Sequence, residues 1–171
     1  MPAFAARICL LRHAEAAGLD DGPYDHDADR PLTDLGRARM ERGARGMARL
    51  GLSFDAILTS PYVRARQTAE IVAAALENTR SLAVEEALAS GAHWSGVKRA
   101  LASASAGASV LLVGHEPDMS RIAGEILLAD RGALGFGKGS LAVILTDAIP
   151  PEAAGLLHSF LRLDQLEAIA D

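Results

Sequence analysis

Three short apolar runs, each cut off by an Arg or a His, constrain this chain more than anything else in it. Ile8-Cys9-Leu10-Leu11 stops at Arg12-His13. Ala56-Ile57-Leu58-Thr59 runs into Ser60-Pro61-Tyr62-Val63-Arg64, and Val110-Leu111-Leu112-Val113-Gly114 runs into His115-Glu116-Pro117. Ala6–Leu11 does not alternate apolar with polar, so it reads as a strand buried on both faces. In open α/β sheets ligands bind just outside the carboxyl ends of the strands. Three such ends bring two imidazoles and at least two guanidiniums into one crevice, a set suited to a phosphate and containing a candidate nucleophile.

The segments between these runs carry helical signals. Residues 14–32 are polar, with Asp20, Asp21, Asp25, Asp27 and Asp29, and read as a solvated loop. Thr33 or Asp34 can cap a helix running to about Leu50 and closed by Gly51, with Met40, Ala44, Met47 and Ala48 as its apolar stripe. Arg39, Arg42, Arg45 and Arg49 fall on a different, solvated face, which is also a candidate dock for an acidic carrier domain. Ser60-Pro61 predicts a helix start with Pro in the first helical position, running to about Leu76. Further elements are a strand Leu82–Val84, a helix over 94–104, a strand Ser109–Val113 and a helix from Pro117 to about Leu128. After a glycine-rich loop, Gly132–Gly139, come strands Leu141–Thr146 and Gly155–Leu161 and a short C-terminal helix. Strands alternating with helices predict an α/β fold, a three-layer α/β/α sandwich with a mostly parallel central sheet.

Composition sets outer limits. A chain of 171 residues, half of them apolar, is one domain by size with room for a real core. Its net charge of −5 argues against a general nucleic-acid binder. The single Cys9 excludes an intrachain disulfide and reads as an inert core thiol. No apolar run reaches membrane-spanning length, and the first apolar stretch is too short and interrupted for a signal peptide, so a cytoplasmic protein is expected.

The residue types at the strand ends point to phosphoryl chemistry. An Arg fork binds two phosphate oxygens at once. A neutral His can accept a phosphoryl group on one ring nitrogen while the other donates a hydrogen bond. Arg64 falls in the first turn of a helix, whose free N–H groups also favour an anion. His115 can bind a phosphate oxygen as a cation or serve a leaving group as an acid. Two His near a carboxylate also suit a metal, but two guanidiniums aimed at the same point repel a divalent cation, so no metal and no other cofactor is expected.

Four segments in order and at matching distances then carry a resemblance: Leu11-Arg12-His13-Ala14-Glu15, Arg30-Pro31-Leu32-Thr33-Asp34-Leu35-Gly36, Ser60-Pro61 through Arg64-Ala65 to Gln67-Thr68-Ala69, and Gly114-His115-Glu116-Pro117. Together they resemble the histidine phosphatase (phosphoglycerate-mutase-like) superfamily over nearly the whole chain. The short length and the Arg30-Pro31-Leu32-Thr33 segment are most similar to the SixA-type phosphohistidine phosphatases. The resemblance implies that His13 is the nucleophile that becomes phosphorylated and that Arg12, Arg64 and His115 bind the phosphate. It also implies a metal-independent, two-step reaction. The expected partner is a protein bearing phosphohistidine, a histidine phosphotransfer or phosphocarrier domain. A small-molecule phosphomonoester phosphatase or mutase, or a phosphate-sensing protein with weak turnover, are the alternatives.

Departures from the family pattern sharpen this. Larger mutase-like members place an acid after the third strand to protonate an alcohol leaving group. Here that stretch reads Glu85-Glu86-Ala87-Leu88-Ala89-Ser90-Gly91, with Ser90 or Ala89 at the acid position and Glu86 shifted from it. A site without a strong acid suits a leaving group that departs easily, such as imidazole. Gly18 and Leu19 stand where mutases often carry Asn, Ala14 replaces the usual Gly, and Ala16 and Ala17 stand where acid phosphatases have a second Arg. Arg30 is a candidate substrate-binding residue on the rim, or a tie for its own loop. Arg66 reads as solvent-facing or paired with Glu70, and His26, His93 and His158 as structural or exposed. The Asp-rich loop lacks the spacing of a calcium site, and Gly132–Gly139 lacks that of a P-loop.

Overall fold

Side chains that alternate along a buried strand must find cover on both faces of the sheet, and that requirement organises the molecule. The computed structural model describes residues 4–79, 82–104, 109–130 and 133–171. Six strands, β1 (Ala6–Arg12), β2 (Ala56–Thr59), β3 (Leu82–Val84), β4 (Ser109–Gly114), β5 (Leu141–Thr146) and β6 (Leu156–Leu161), form one sheet in the order β3-β2-β4-β1-β5-β6. Cys9, Leu11, Ile57, Leu111 and Val113 pack on one face under α1 (Asp34–Arg49), α2 (Val63–Ala75) and α5 (Leu163–Ala170). Ile8, Leu10, Leu58, Val110 and Leu112 pack on the other under α3 (Trp94–Ala104) and α4 (Asp118–Leu127). The three-layer α/β/α sandwich is therefore the observed fold.

The first four strands are mutually parallel. The last two are antiparallel to their neighbours, β5 to β1 and β6 to β5. Residues 147–155 join β5 to β6 without a helix, and so short a connection closes only an antiparallel pair. The apolar runs with which the sequence opens are β1, β4 and β2, three adjacent strands. Their ends are in register, Arg12 beside Gly114 and Thr59 beside Val113, so their carboxyl-end loops meet.

Two helices differ from expectation. Pro61 is not helical: α2 begins at Val63, behind Tyr62. Ser60 still donates its N–H to the Val113 carbonyl as an extension of β2, so the chain needs Pro61 and Tyr62 to turn. The arginine face of α1 is not simply solvated, because α5 docks on it. Arg39 pairs with Glu167 at 2.6 Å, Arg42 with Asp171 at 3.3 Å, and Arg49 bonds the Ile169 carbonyl. The helices approach closely because Gly43 and Gly46 lie between them; a Cβ on Gly46 would stand 2.0 Å from the Leu166 carbonyl oxygen. Met40, Ala44 and Met47 are buried as the stripe predicts, whereas Ala48 is exposed. No helix among the described residues is long and apolar enough to cross a membrane.

Candidate active site

His13 sits one residue past β1, where its N–H still bonds the Gly114 carbonyl of the neighbouring strand. Its ring Nδ1 lies 2.6 Å from the Ala14 carbonyl oxygen, and its Nε2 lies 3.2 Å from Arg64 Nε. A carbonyl can only accept and a guanidinium can only donate. Nδ1 therefore carries the proton and Nε2 presents its lone pair. Burial foremost, joined by the charges of His115, Arg64 and Arg12, pushes the imidazole down to about 3 against the pull of the Ala14 hydrogen bond. The ring is neutral at pH 7, as a nucleophile must be.

Arg64 occupies the first turn of α2 and is buried. Besides His13 it meets the Asp27 carbonyl through Nη1 (2.6 Å) and the Asp27 carboxylate Oδ2 through Nη2 (2.8 Å). Among the described residues three of its five N–H groups are engaged, leaving two for a ligand. Thr68, one turn on, donates to the Arg64 carbonyl (2.7 Å) and accepts from Ala14 N–H (3.1 Å), stitching the start of α2 to the residue after His13.

His115 follows β4 and is buried, its ring between Tyr62 (centroids 4.8 Å apart) and His13 (5.2 Å). Its Nε2 bonds Ser60 Oγ at 2.7 Å. Burial first, then Arg64, lowers it to about 4 despite the opposing charge of Asp27. The cationic form considered from sequence is thus not the resting one; a phosphoryl dianion supplies the opposite charge that would raise it.

Arg12 closes the set from the end of β1. Its Nη1 donates to the Phe136 carbonyl at 2.7 Å. That loop is held by Glu116, whose Oε1 accepts from Phe136 N–H at 2.7 Å. Gly139, at φ +72°, donates to the Arg12 and His13 carbonyls, so the glycine-rich loop anchors the pair. Gly132, predicted as its first residue, lies outside the described residues. Burial lowers the Arg12 pKa, with Glu116 opposing and Arg64 reinforcing. Among the described residues, Arg12 Nε and His115 Nδ1 are buried without a hydrogen-bond partner. Buried polar atoms are seldom left so, and both belong to side chains at the ends of adjacent strands. The third such atom, Thr146 Oγ1, lies at the opposite end of the sheet.

The four residues expected from sequence thus come together. Arg30 stands beside them, but its guanidinium is taken up by Asp27 Oδ1 (2.6 and 2.9 Å) and the Ala17 carbonyl (2.6 Å), so it ties the loop. Asp27 corrects the expectation of a merely solvated acidic loop: it links Arg30 to Arg64. Ser60, Thr68 and Glu116 stood inside the quoted motifs without a role, and Tyr62 and Phe136 gave no signal. The turn after β3 is where mutase-like members carry their acid. Ser90 and Glu86 are exposed, and the Glu85 carboxylate caps Ala87 N–H at 3.0 Å. These residues border a cleft of about 690 Å³ at the carboxyl end of β3, which contains none of the four. No group of three or more His, Cys, Asp or Glu among the described residues is placed to hold a metal ion.

Known proteins resemble this chain in sequence and fold. A family model described as the histidine phosphatase superfamily (branch 1) matches residues 8–90. A structure assigned to the phosphohistidine phosphatase SixA of Agrobacterium tumefaciens superposes with a TM-score of 0.76 at 31% identity, covering 93% of this chain and 99% of that one. The structure of protein histidine phosphatase SixA complexed with tungstate reaches 0.82 at 24% identity over 94% and 99%, a likeness of fold. A protein of unassigned function from Picosynechococcus sp. is 42% identical over 130 residues, 73% of this chain and 75% of its own length.

Proposed function

The chain belongs to the histidine phosphatase superfamily, and from that premise we propose that it removes phosphate from phosphohistidine on a protein. The observation that carries this is the fixed tautomer of His13, whose unprotonated Nε2 faces the guanidinium of Arg64. His13 attacks phosphorus, and Arg12, Arg64 and His115 bind the non-bridging oxygens as charge builds on them. Water then hydrolyses the phosphohistidine on His13 and returns the enzyme. No metal or other cofactor enters the scheme.

An imidazole leaving group fits the turn that follows β3. Ser90 or Ala89 stands where an alcohol-cleaving relative would need an acid, and Glu85 is committed to a backbone N–H. The partner is a histidine phosphotransfer or phosphocarrier domain, and a cytoplasmic location goes with it, consistent with a lone buried thiol. The test is phosphate release, with EDTA present, from a histidine-phosphorylated carrier protein and from a panel of phosphomonoesters. Fast release from the carrier and little from the esters is expected. Fast release from one ester alone would move the enzyme to small-molecule metabolism, and failure on both would favour a phosphate sensor.

A further inference from the structure

Asp27 is the point at which the acidic loop enters the site. Its Oδ1 accepts two hydrogen bonds from Arg30, and its Oδ2 accepts one from Arg64 at 2.8 Å. An ionised carboxylate offers about four acceptor positions. Among the described residues three are filled, so the remaining one is on Oδ2, the oxygen bonded to Arg64. The same guanidinium reaches the nucleophilic nitrogen of His13 with its Nε. One guanidinium thus links the His13 nitrogen to Asp27, whose side chain is about half exposed at 48% and open to an incoming substrate.

We propose that Asp27 sets leaving-group specificity by accepting the ring N–H of a phosphorylated imidazole through Oδ2. This deepens, and rests on, the phosphohistidine function above. The step balances without a proton moving. The lone pair of His13 Nε2 forms the new bond to phosphorus, and the old P–N bond breaks with its pair remaining on the substrate ring. A ring that enters as imidazolium leaves as neutral imidazole, still holding the proton on its other nitrogen. Unprotonated, the same ring would depart as an anion, and Ser90 is no acid to rescue it. A carboxylate on that N–H favours the protonated ring. It also repels leaving groups that carry negative charge.

The surroundings keep Asp27 charged. Partial burial opposes ionisation, but the hydrogen bonds and charges of Arg64 from α2 and Arg30 from its own loop outweigh it and hold the carboxyl below its usual value. His115, beyond β4, and His13, beyond β1, are lowered to about 4 and about 3. His26 and Asp29 flank the loop position and are exposed.

The experiment compares N-phosphoimidazole with an aryl phosphate, whose phenolate leaves without a proton, in the full chain and in Asp27→Asn, both also carrying His26→Gln. Single-turnover phosphorylation of His13 is followed at saturating substrate from pH 6 to pH 8. The expected result is a deficit in Asp27→Asn at least about tenfold greater for phosphoimidazole than for the aryl ester, widening as pH rises above the ring's own pKa near neutrality. Equal losses on both substrates at every pH would reduce Asp27 to a strut for Arg64. Gains on both would make it a plug, and either outcome overturns the proposal. An unsubstituted enzyme that phosphorylates itself from the ester but not from phosphoimidazole would instead sink the phosphohistidine function itself.

Discussion

Arg64 Nε donates to His13 Nε2 across 3.2 Å, while the opposite ring nitrogen donates to the Ala14 carbonyl. The pair leaves one ring nitrogen unprotonated and sets a cation against it. The first turn of α2 and the end of β1 are held together for this by Thr68.

His13→Ala is expected to abolish turnover, because it removes the ring nitrogen that the Arg64 guanidinium faces. Rapid quench with labelled substrate should trap an acid-labile phosphoenzyme in the parent and none in the variant. Activity near that of the parent would remove His13 from the nucleophile's role.

Arg64→Ala should lower kcat/KM by about 10²–10³-fold, the scale of losing one preorganised donor to developing charge. Arg64→Lys should recover little, since Lys cannot reach His13, Asp27 and phosphate in one plane. Steady-state kinetics giving less than a tenfold loss for the alanine variant would place Arg64 outside the phosphate pocket.

His13 and His115 titrate at about 3 and about 4 in the fold, below the 6.5 of an exposed ring. The unfolded chain thus binds more protons as acid is added, so their contribution to stability is present above pH 6.5 and is lost as pH falls through about 4 for His115 and about 3 for His13. Denaturation midpoints should fall over that window, and His13→Asn should flatten the decline. In NMR titrations of the folded protein the His13 ring should show no inflection between pH 5 and pH 8.

Gly36→Ala should disturb both stability and rate. A Cβ there would stand 2.1 Å from the Glu15 carbonyl oxygen, which also accepts from Thr33 N–H at 3.0 Å. Relieving the clash moves the start of α1 or the segment just after His13, at about 1–3 kcal/mol. Denaturation together with kcat/KM would register it; a variant unchanged in both would show that the two segments separate freely.

Much of the fold could be read locally. Non-alternating apolar runs marked the central strands, Thr33 marked the start of α1, and Arg or His at three strand ends marked the pocket, because periodicity and capping are properties of neighbours in the chain. The resemblance supplied what local signals lacked, the expectation that His13 is the residue that attacks. Neither source gave Asp27 a role, since an aspartate in a polar loop looks the same whether it meets water or Arg64. The α1 arginines misled for a similar reason: their partners lie on α5 or just past its end, more than a hundred residues away.

The sequence by itself determined the elements and which Arg and His side chains stand at the strand ends. Only the tertiary structure decided the strand order that makes β1, β4 and β2 neighbours, the two antiparallel strands at the edge, and the proton's place on the His13 ring. It also decided how far His13 and His115 are pushed down, and which carboxylates serve the site. Burial and charge proximity are sums over residues remote in sequence, so they exist only once the sheet has brought its strand ends together.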